Sequence, residues 1–99
     1  MLETVTYATF AEYLGERFRM HVGAERPLEV ELIEVVRHDA RGAEAGSREP
    51  FSVLFRGPLS PVAPQRIYAI EHDRFGRIEL FLVPIGPDGQ GMRYEAVFS

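Results

Sequence analysis

Apolar and polar residues alternate along much of this chain with a period of two, which is typical of β-strands with one buried face. In "ERFRMHV" the alternation sets Phe18, Met20 and Val22 on the same side. "LEVELIEVVR" starts with the same alternation, but Ile33 and Val35 then fall on the opposite phase. Either a β-bulge near the change of phase or burial of both strand faces at that end explains the shift, and the sequence leaves both open.

Four further segments follow the same period. The residues expected to point inward are Phe51, Val53 and Phe55 in "FSVLFRG", Tyr68 and Ile70 in "RIYAIEH", Ile78, Leu80 and Leu82 in "RIELFLVPI", and Met92, Tyr94, Ala96 and Phe98 in "MRYEAVF". In "RIELFLVPI" the opposite side is also apolar, with Phe81, Val83 and Ile85. That pattern predicts a strand that is central in the sheet or covered on both faces.

One short helix is predicted near the start, in "TFAEYLG". Thr9 and Glu12 have the spacing of a capping box, and Gly15 is placed to end the helix in the left-handed conformation. A helix of about one and a half turns is not stable alone. It must therefore pack on the strands, through Phe10, Tyr13 and Leu14.

These elements predict a mainly β fold, with six antiparallel strands and one short N-terminal helix in a single domain over residues 1–99. The tight turn "DRFG" indicates antiparallel neighbours, so the last three strands are expected to form a meander. Such a set of strands closes into a small barrel or a two-layer sandwich, and we favour the barrel. Residues 38–50 are small, polar and glycine-containing, and we expect them to form the most mobile loop.

Composition narrows the function classes. The absence of cysteine excludes disulfides, thiolate zinc sites and a cysteine nucleophile. The longest apolar run, "LFLVPI", is far shorter than the roughly 20 residues of a membrane helix. Acidic Glu3 stands where a signal peptide is basic. The net charge of -4 disfavours nucleic-acid binding. We therefore expect a soluble, cytoplasmic protein that binds neither membrane nor nucleic acid.

The segment "GPDGQG" raises the question of a phosphate-binding loop. Such loops lead into a helix N-terminus, whose free amides meet the anion. Here a strand pattern follows, and the segment lacks the lysine of a P-loop. A hairpin turn, in which glycine supplies the positive φ, is the favoured interpretation.

No motif predicts catalysis, a metal site or a cofactor. His21, His38 and His72 have no ligand spacing, and we interpret His72 and Asp73 as turn residues, with Asp73 bonding its own backbone. The acidic residues of the second strand fall on its solvent face, unlike the buried carboxylates of acid–base catalysis. No serine has the spacing of a nucleophile elbow. We expect a protein that is not an enzyme.

Two binding hypotheses remain. In "FRGPLSPVAPQ", Leu59 and Val62 stand among prolines. They form a pre-ordered contact surface, for a protein partner or for self-association, or the prolines only stiffen a long connection. The alternative is a small-ligand-binding barrel, or an enzyme with an unrecognised site, whose pocket lies around Arg66, Tyr68 and His72.

Three segments, "TFAEYLGERF", "FSVLFRGP" and "IYAIEHDRFGRIELFLVPIGPDGQGMRYEAVF", resemble a small uncharacterised bacterial family of single domains. The resemblance covers most of the chain and is densest from Phe51 to Phe98, and it leaves out residues 38–50. Members are often encoded near phage-tail-collar-like proteins. This implies an accessory role in building a tail-like or surface appendage, and it implies no catalytic residues.

Overall fold

The computed structural model describes residues 5–38 and 50–98, and the loop predicted at residues 38–50 lies mostly outside them. The elements are α1 (Tyr7–Ala11), β1 (Arg17–His21), β2 (Leu28–Arg37), β3 (Phe51–Gly57), β4 (Arg66–His72), β5 (Gly76–Pro87) and β6 (Met92–Phe98). All six strands pair antiparallel and close into a barrel in the order β1-β2-β3-β6-β5-β4. The predicted barrel and the β4-β5-β6 meander are confirmed.

The barrel interior is filled by the side chains that the alternation placed inward. The buried set includes Phe18, Met20, Val30, Leu32, Phe51, Val53, Phe55, Tyr68, Ile70, Ile78, Leu80, Leu82, Tyr94, Ala96 and Phe98. Val22 and Met92 are only partly buried and pack against this cluster at its margin. The period-two pattern therefore assigned the inward face of every strand correctly.

The phase change in β2 is a β-bulge. Leu32 pairs with Phe55 and Glu34 pairs with Leu54, which leaves Ile33 as the extra residue. Beyond the bulge Val35 pairs with inward Val53. The extra residue thus turns the apolar side chains after it back toward the core. Of the two explanations for the change of phase, the β-bulge is correct.

The helix begins one turn earlier than predicted. Thr6 is the N-cap, and its Oγ1 accepts a hydrogen bond from the Thr9 amide (3.3 Å). The Oγ1 of Thr9 in turn accepts from the Thr6 amide (3.1 Å). The predicted capping box of Thr9 with Glu12 is wrong, because Thr9 fills the position that Glu or Gln usually takes.

This earlier start directs Phe10 into the barrel. Val5 and Phe10 occupy the two positions of a hydrophobic staple, and both are buried. The Phe10 ring lies 5.0 Å from that of Phe75, between centroids. Gly15 has the predicted left-handed conformation, with φ at 88°, but it does not end the helix, because α1 ends at Ala11 with Glu12 as its C-cap. Leu14, expected to pack, is instead 54% exposed.

None of the described residues covers the outward side of β5. Phe81 is 51% exposed and Ile85 is 40% exposed, while Val83 is partly buried. Of the two predictions for this strand, the central position is confirmed, since β5 pairs with both β4 and β6. Cover on both faces is wrong, because a single closed barrel buries only its inward side chains and the one described helix sits at a barrel end.

The "GPDGQG" segment is the β5–β6 hairpin turn, as predicted. Its amides already bind an anion of the chain itself. Asp88 Oδ1 accepts from the amides of Gln90 (3.0 Å) and Gly91 (3.1 Å), while Oδ2 accepts from Arg56 Nε (2.8 Å). The Arg56 guanidinium first, and then the Gln90 amide, lower the pKa of Asp88 to about 2. The turn is therefore closed by the Asp88 carboxylate, which already engages the Gln90 and Gly91 amides that an external anion would need.

Gly91 is expected to be intolerant of a side chain. A Cβ at this position would lie 2.2 Å from the Gly57 carbonyl oxygen and 2.8 Å from Arg56 Cγ. Because the first contact is with backbone, Gly91→Ala is expected to lower the free energy of unfolding by about 1–3 kcal/mol. Urea unfolding measures this loss. The neighbouring Gln90→Ala, at an exposed position, is the control and should change the free energy by less than about 0.5 kcal/mol. Equal stability of the two variants would contradict the close approach.

Candidate functional site

The predicted pocket around His72, Arg66 and Tyr68 forms only in part, because His72 lies at the other end of β4 from Arg66. His72 ends β4 beside Phe75, at the end that α1 closes through Phe10, and we call this the helix end. Arg66 begins β4 beside the connection of residues 58–65, which we call the proline end. The structure brings Arg66, Tyr68 and Val62 together and leaves His72 apart from them.

At the helix end, His72 is part of the packing. Its ring lies 4.8 Å from the Phe18 ring and 5.0 Å from the Tyr13 ring, between centroids. Its Nδ1 accepts hydrogen bonds from the amides of Arg74 (3.0 Å) and Phe75 (3.2 Å). His72 therefore closes the β4–β5 turn from inside the aromatic cluster.

A second contact ties this turn to the segment before β1. Because Nδ1 of His72 accepts, its Nε2 carries the proton and donates to Glu16 Oε1 (2.8 Å). Arg74 Nη2 donates to both oxygens of Glu16 (2.7 Å each). Arg74 first, and then His72, lower the pKa of Glu16. Asp73 was predicted to make the turn contact; it instead accepts from Arg19 Nη2 (3.0 Å).

The other two histidines each have a separate polar neighbour. His21 Nε2 lies 2.8 Å from Glu71 Oε1, and this hydrogen bond is the main cause of the lowered pKa of Glu71. His38 Nε2 lies 3.0 Å from Ser52 Oγ. Within residues 5–38 and 50–98, no group of three or more His, Asp or Glu side chains is arranged to hold a metal ion.

At the proline end, two inward tyrosines hold the connection against the barrel. The amide of Ala63 donates to the hydroxyl of Tyr94 (2.9 Å), and the hydroxyl of Tyr68 donates to the carbonyl of Pro64. Ala63 is buried, and burial raises the pKa of Tyr68. The prolines therefore belong to a segment whose position is fixed by the core.

Beneath this segment lies a partly open cavity of about 170 Å³, which we call the end cavity. Its walls are mostly apolar and include, besides two prolines, Val22, Leu28, Val62, Ala63, Arg66 and Tyr68. Val62 is 46% exposed at this site, while Leu59 does not line the cavity and is 54% exposed. Of the two residues predicted as a contact surface, the structure thus places only Val62 at the cavity.

A second candidate surface was missed by the sequence analysis. Ile67 on β4 pairs directly with Phe81 on β5, and these outward side chains are 61% and 51% exposed. Val83 of β5 pairs with Glu95, and Val97, two residues further on the same side of β6, is 65% exposed. We call Ile67, Phe81 and Val97 the apolar face. Its signal was present in the sequence as apolar residues on both sides of β5.

Comparison with known protein families gives a match that covers nearly the whole chain. A family model described as "Domain of unknown function (DUF6916)" matches residues 5–98. The chain belongs to this family. Both candidate surfaces therefore lie within the DUF6916 domain. No curated protein and no solved structure matches the chain. In the described part of this DUF6916 domain, no helix is long and apolar enough to cross a membrane.

Proposed function

We propose that the protein is a non-enzymatic interaction module, which binds a protein partner or a second copy of itself through the apolar face. The observation that carries the proposal is the paired Ile67 and Phe81, both more than half exposed on neighbouring strands. Single exposed apolar side chains are common, whereas adjacent ones on a flat strand pair mark contact surfaces.

The closed barrel supports a contact through a face. Each described strand is hydrogen-bonded on both sides, so the barrel offers no free edge to another chain. Charged residues border the apolar face. On the outward side of β5, Arg77 and Glu79 precede Phe81, and on the outward side of β6, Arg93 and Glu95 precede Val97. An apolar centre with a polar border is the usual composition of a protein–protein interface.

We further propose that the partner is a structural protein of a phage-tail-like or surface appendage. The support is the resemblance to a bacterial family that is often encoded near phage-tail-collar-like proteins. We also propose that the protein acts in the cytoplasm, which its lack of cysteine supports.

The alternative, a ligand-binding barrel or an enzyme with a site at His72, has weaker support. Both nitrogens of His72 are engaged, Nδ1 with two backbone amides and Nε2 with Glu16. A general base needs a ring nitrogen within reach of substrate.

The proposal is tested with three baits: the wild-type chain, the face variant Ile67→Thr/Phe81→Thr, and the control Leu14→Thr. Threonine keeps the strand propensity while removing apolar area. Leu14 is as exposed as the face residues but lies after α1. Proteins bound from the native host are identified by mass spectrometry, and self-association is followed by sedimentation velocity over a concentration series.

We expect the wild type and Leu14→Thr to retain the same partner, or the same dimer, and the face variant to lose at least about tenfold in affinity. Equal binding by all three baits, or a wild type that stays monomeric and recovers nothing above bare resin, would reject the apolar face. Appendage proteins among those lost would support the assembly role, and a partner of another kind would reject that role.

A further inference from the structure

The end cavity has the size of a single side chain. Its volume of about 170 Å³ is close to that of an apolar cavity, roughly 150 Å³, that holds benzene. Sites for complete small molecules usually measure about 300–1,000 Å³. The end cavity is therefore suited to one apolar anchor of a larger partner.

Among the polar groups at the end cavity, one charged group has no partner in the described part of the chain. The Tyr68 hydroxyl donates a hydrogen bond to the Pro64 carbonyl, and the Ala63 amide donates one to the Tyr94 hydroxyl. Arg66, in contrast, is exposed, and its guanidinium forms no ion pair or hydrogen bond with any residue in the described part of the chain. An anion beside the apolar anchor would thus meet an available guanidinium, which favours carboxylates through its paired donors.

We propose that the end cavity binds the C-terminal residue of a partner chain, with its apolar side chain in the cavity and its α-carboxylate on Arg66. A C-terminal residue places a carboxylate one carbon from its side chain, which suits an arginine in the cavity wall. A free amino acid would be held only by its side chain in the cavity and by one ion pair. In a partner chain, the residues before the C-terminal one supply the remaining contacts. The proposal does not depend on the apolar face.

The test is an NMR titration of the full chain, labelled with ¹⁵N, with three probes. The first is acetyl-Ser-Gly-Ser-Leu with a free C-terminus, the second is the same peptide as its C-terminal amide, and the third is N-acetyl-leucine. We expect the free-acid peptide to bind with a Kd on the order of 0.1–1 mM, and to shift the amides of Ala63 and Arg66. The amide peptide is expected to bind at least about tenfold more weakly, because it loses the charged hydrogen bonds.

Two variants locate the carboxylate. Arg66→Gln should weaken the free-acid peptide by at least about tenfold, while Arg77→Gln, an exposed arginine at the helix end, should leave its Kd unchanged. Equal affinity of acid and amide, an unchanged Kd in Arg66→Gln, or no shift at 10 mM, roughly a hundred times the tightest expected Kd, would overturn the proposal. Binding of N-acetyl-leucine as tightly as the peptide would overturn the partner chain as the source of the carboxylate. Phe81→Thr should leave the peptide affinity unchanged, so the two proposals fail separately.

Discussion

Phe10→Ala is expected to lower the free energy of unfolding by about 3–5 kcal/mol, measured by urea denaturation. Phe10 is fully buried, and its ring lies 5.0 Å from that of Phe75, 5.7 Å from that of Phe98 and 6.1 Å from that of Phe51. These neighbours come from the β4–β5 turn, β6 and β3. The truncation would therefore open a cavity against three separate parts of the barrel, and release the contact that docks a helix of only five residues.

Phe81→Ala is the matched control, since it removes the same atoms from an outward position that is 51% exposed. We expect that variant to lose less than about 1 kcal/mol. If Phe10→Ala also lowered the free energy of unfolding by less than about 1 kcal/mol, α1 would not be part of the cooperative core, and the strands alone would hold this barrel end.

Leu80→Ala is expected to cost about 2–5 kcal/mol. Leu80 is 4% exposed and pairs with inward Tyr68, near the middle of both strands. Neither residue can move to fill the space without disturbing the β4–β5 register, so the cavity should persist and the cost should fall in the upper half of this range.

Leu59→Ala is the control for this truncation, because Leu59 is 54% exposed on the proline connection. It should change the free energy of unfolding by less than about 0.5 kcal/mol. A loss below about 1 kcal/mol for Leu80→Ala would contradict the inward face of β5, since a one-residue shift in register moves every side chain to the other face.

The candidate sites were only partly predictable. Val62, Arg66 and Tyr68 were singled out, and the structure places them on one cavity. The sequence analysis placed His72 in one pocket with Arg66 and Tyr68. Strand length defeats that inference, since from Arg66 to His72 the strand rises roughly 20 Å at 3.3 Å per residue.

The apolar face illustrates a different failure. Alternation shows which residues share a side, and it set Phe81 correctly with Val83 and Ile85. It does not show whether another layer lies on that side. One short helix cannot cover the outside of six strands, so apolar outward residues of the described strands must remain exposed.

By itself, the sequence determined the strands, their inward faces and their antiparallel pairing, because these follow from a period of two and short turns between neighbours. Barrel and sandwich were both open from the sequence, and the tertiary structure decided that the sheet closes into a barrel. Only the tertiary structure decided the bulge at Ile33, the earlier start of α1 and the separation of His72 from Arg66. It also decided that the Asp88 carboxylate accepts the amides of its own turn and that the Arg66 guanidinium has no hydrogen bond or ion pair among the described residues. The physical reason is that local patterns record what each residue prefers nearby, whereas these features depend on contacts between residues far apart in the chain.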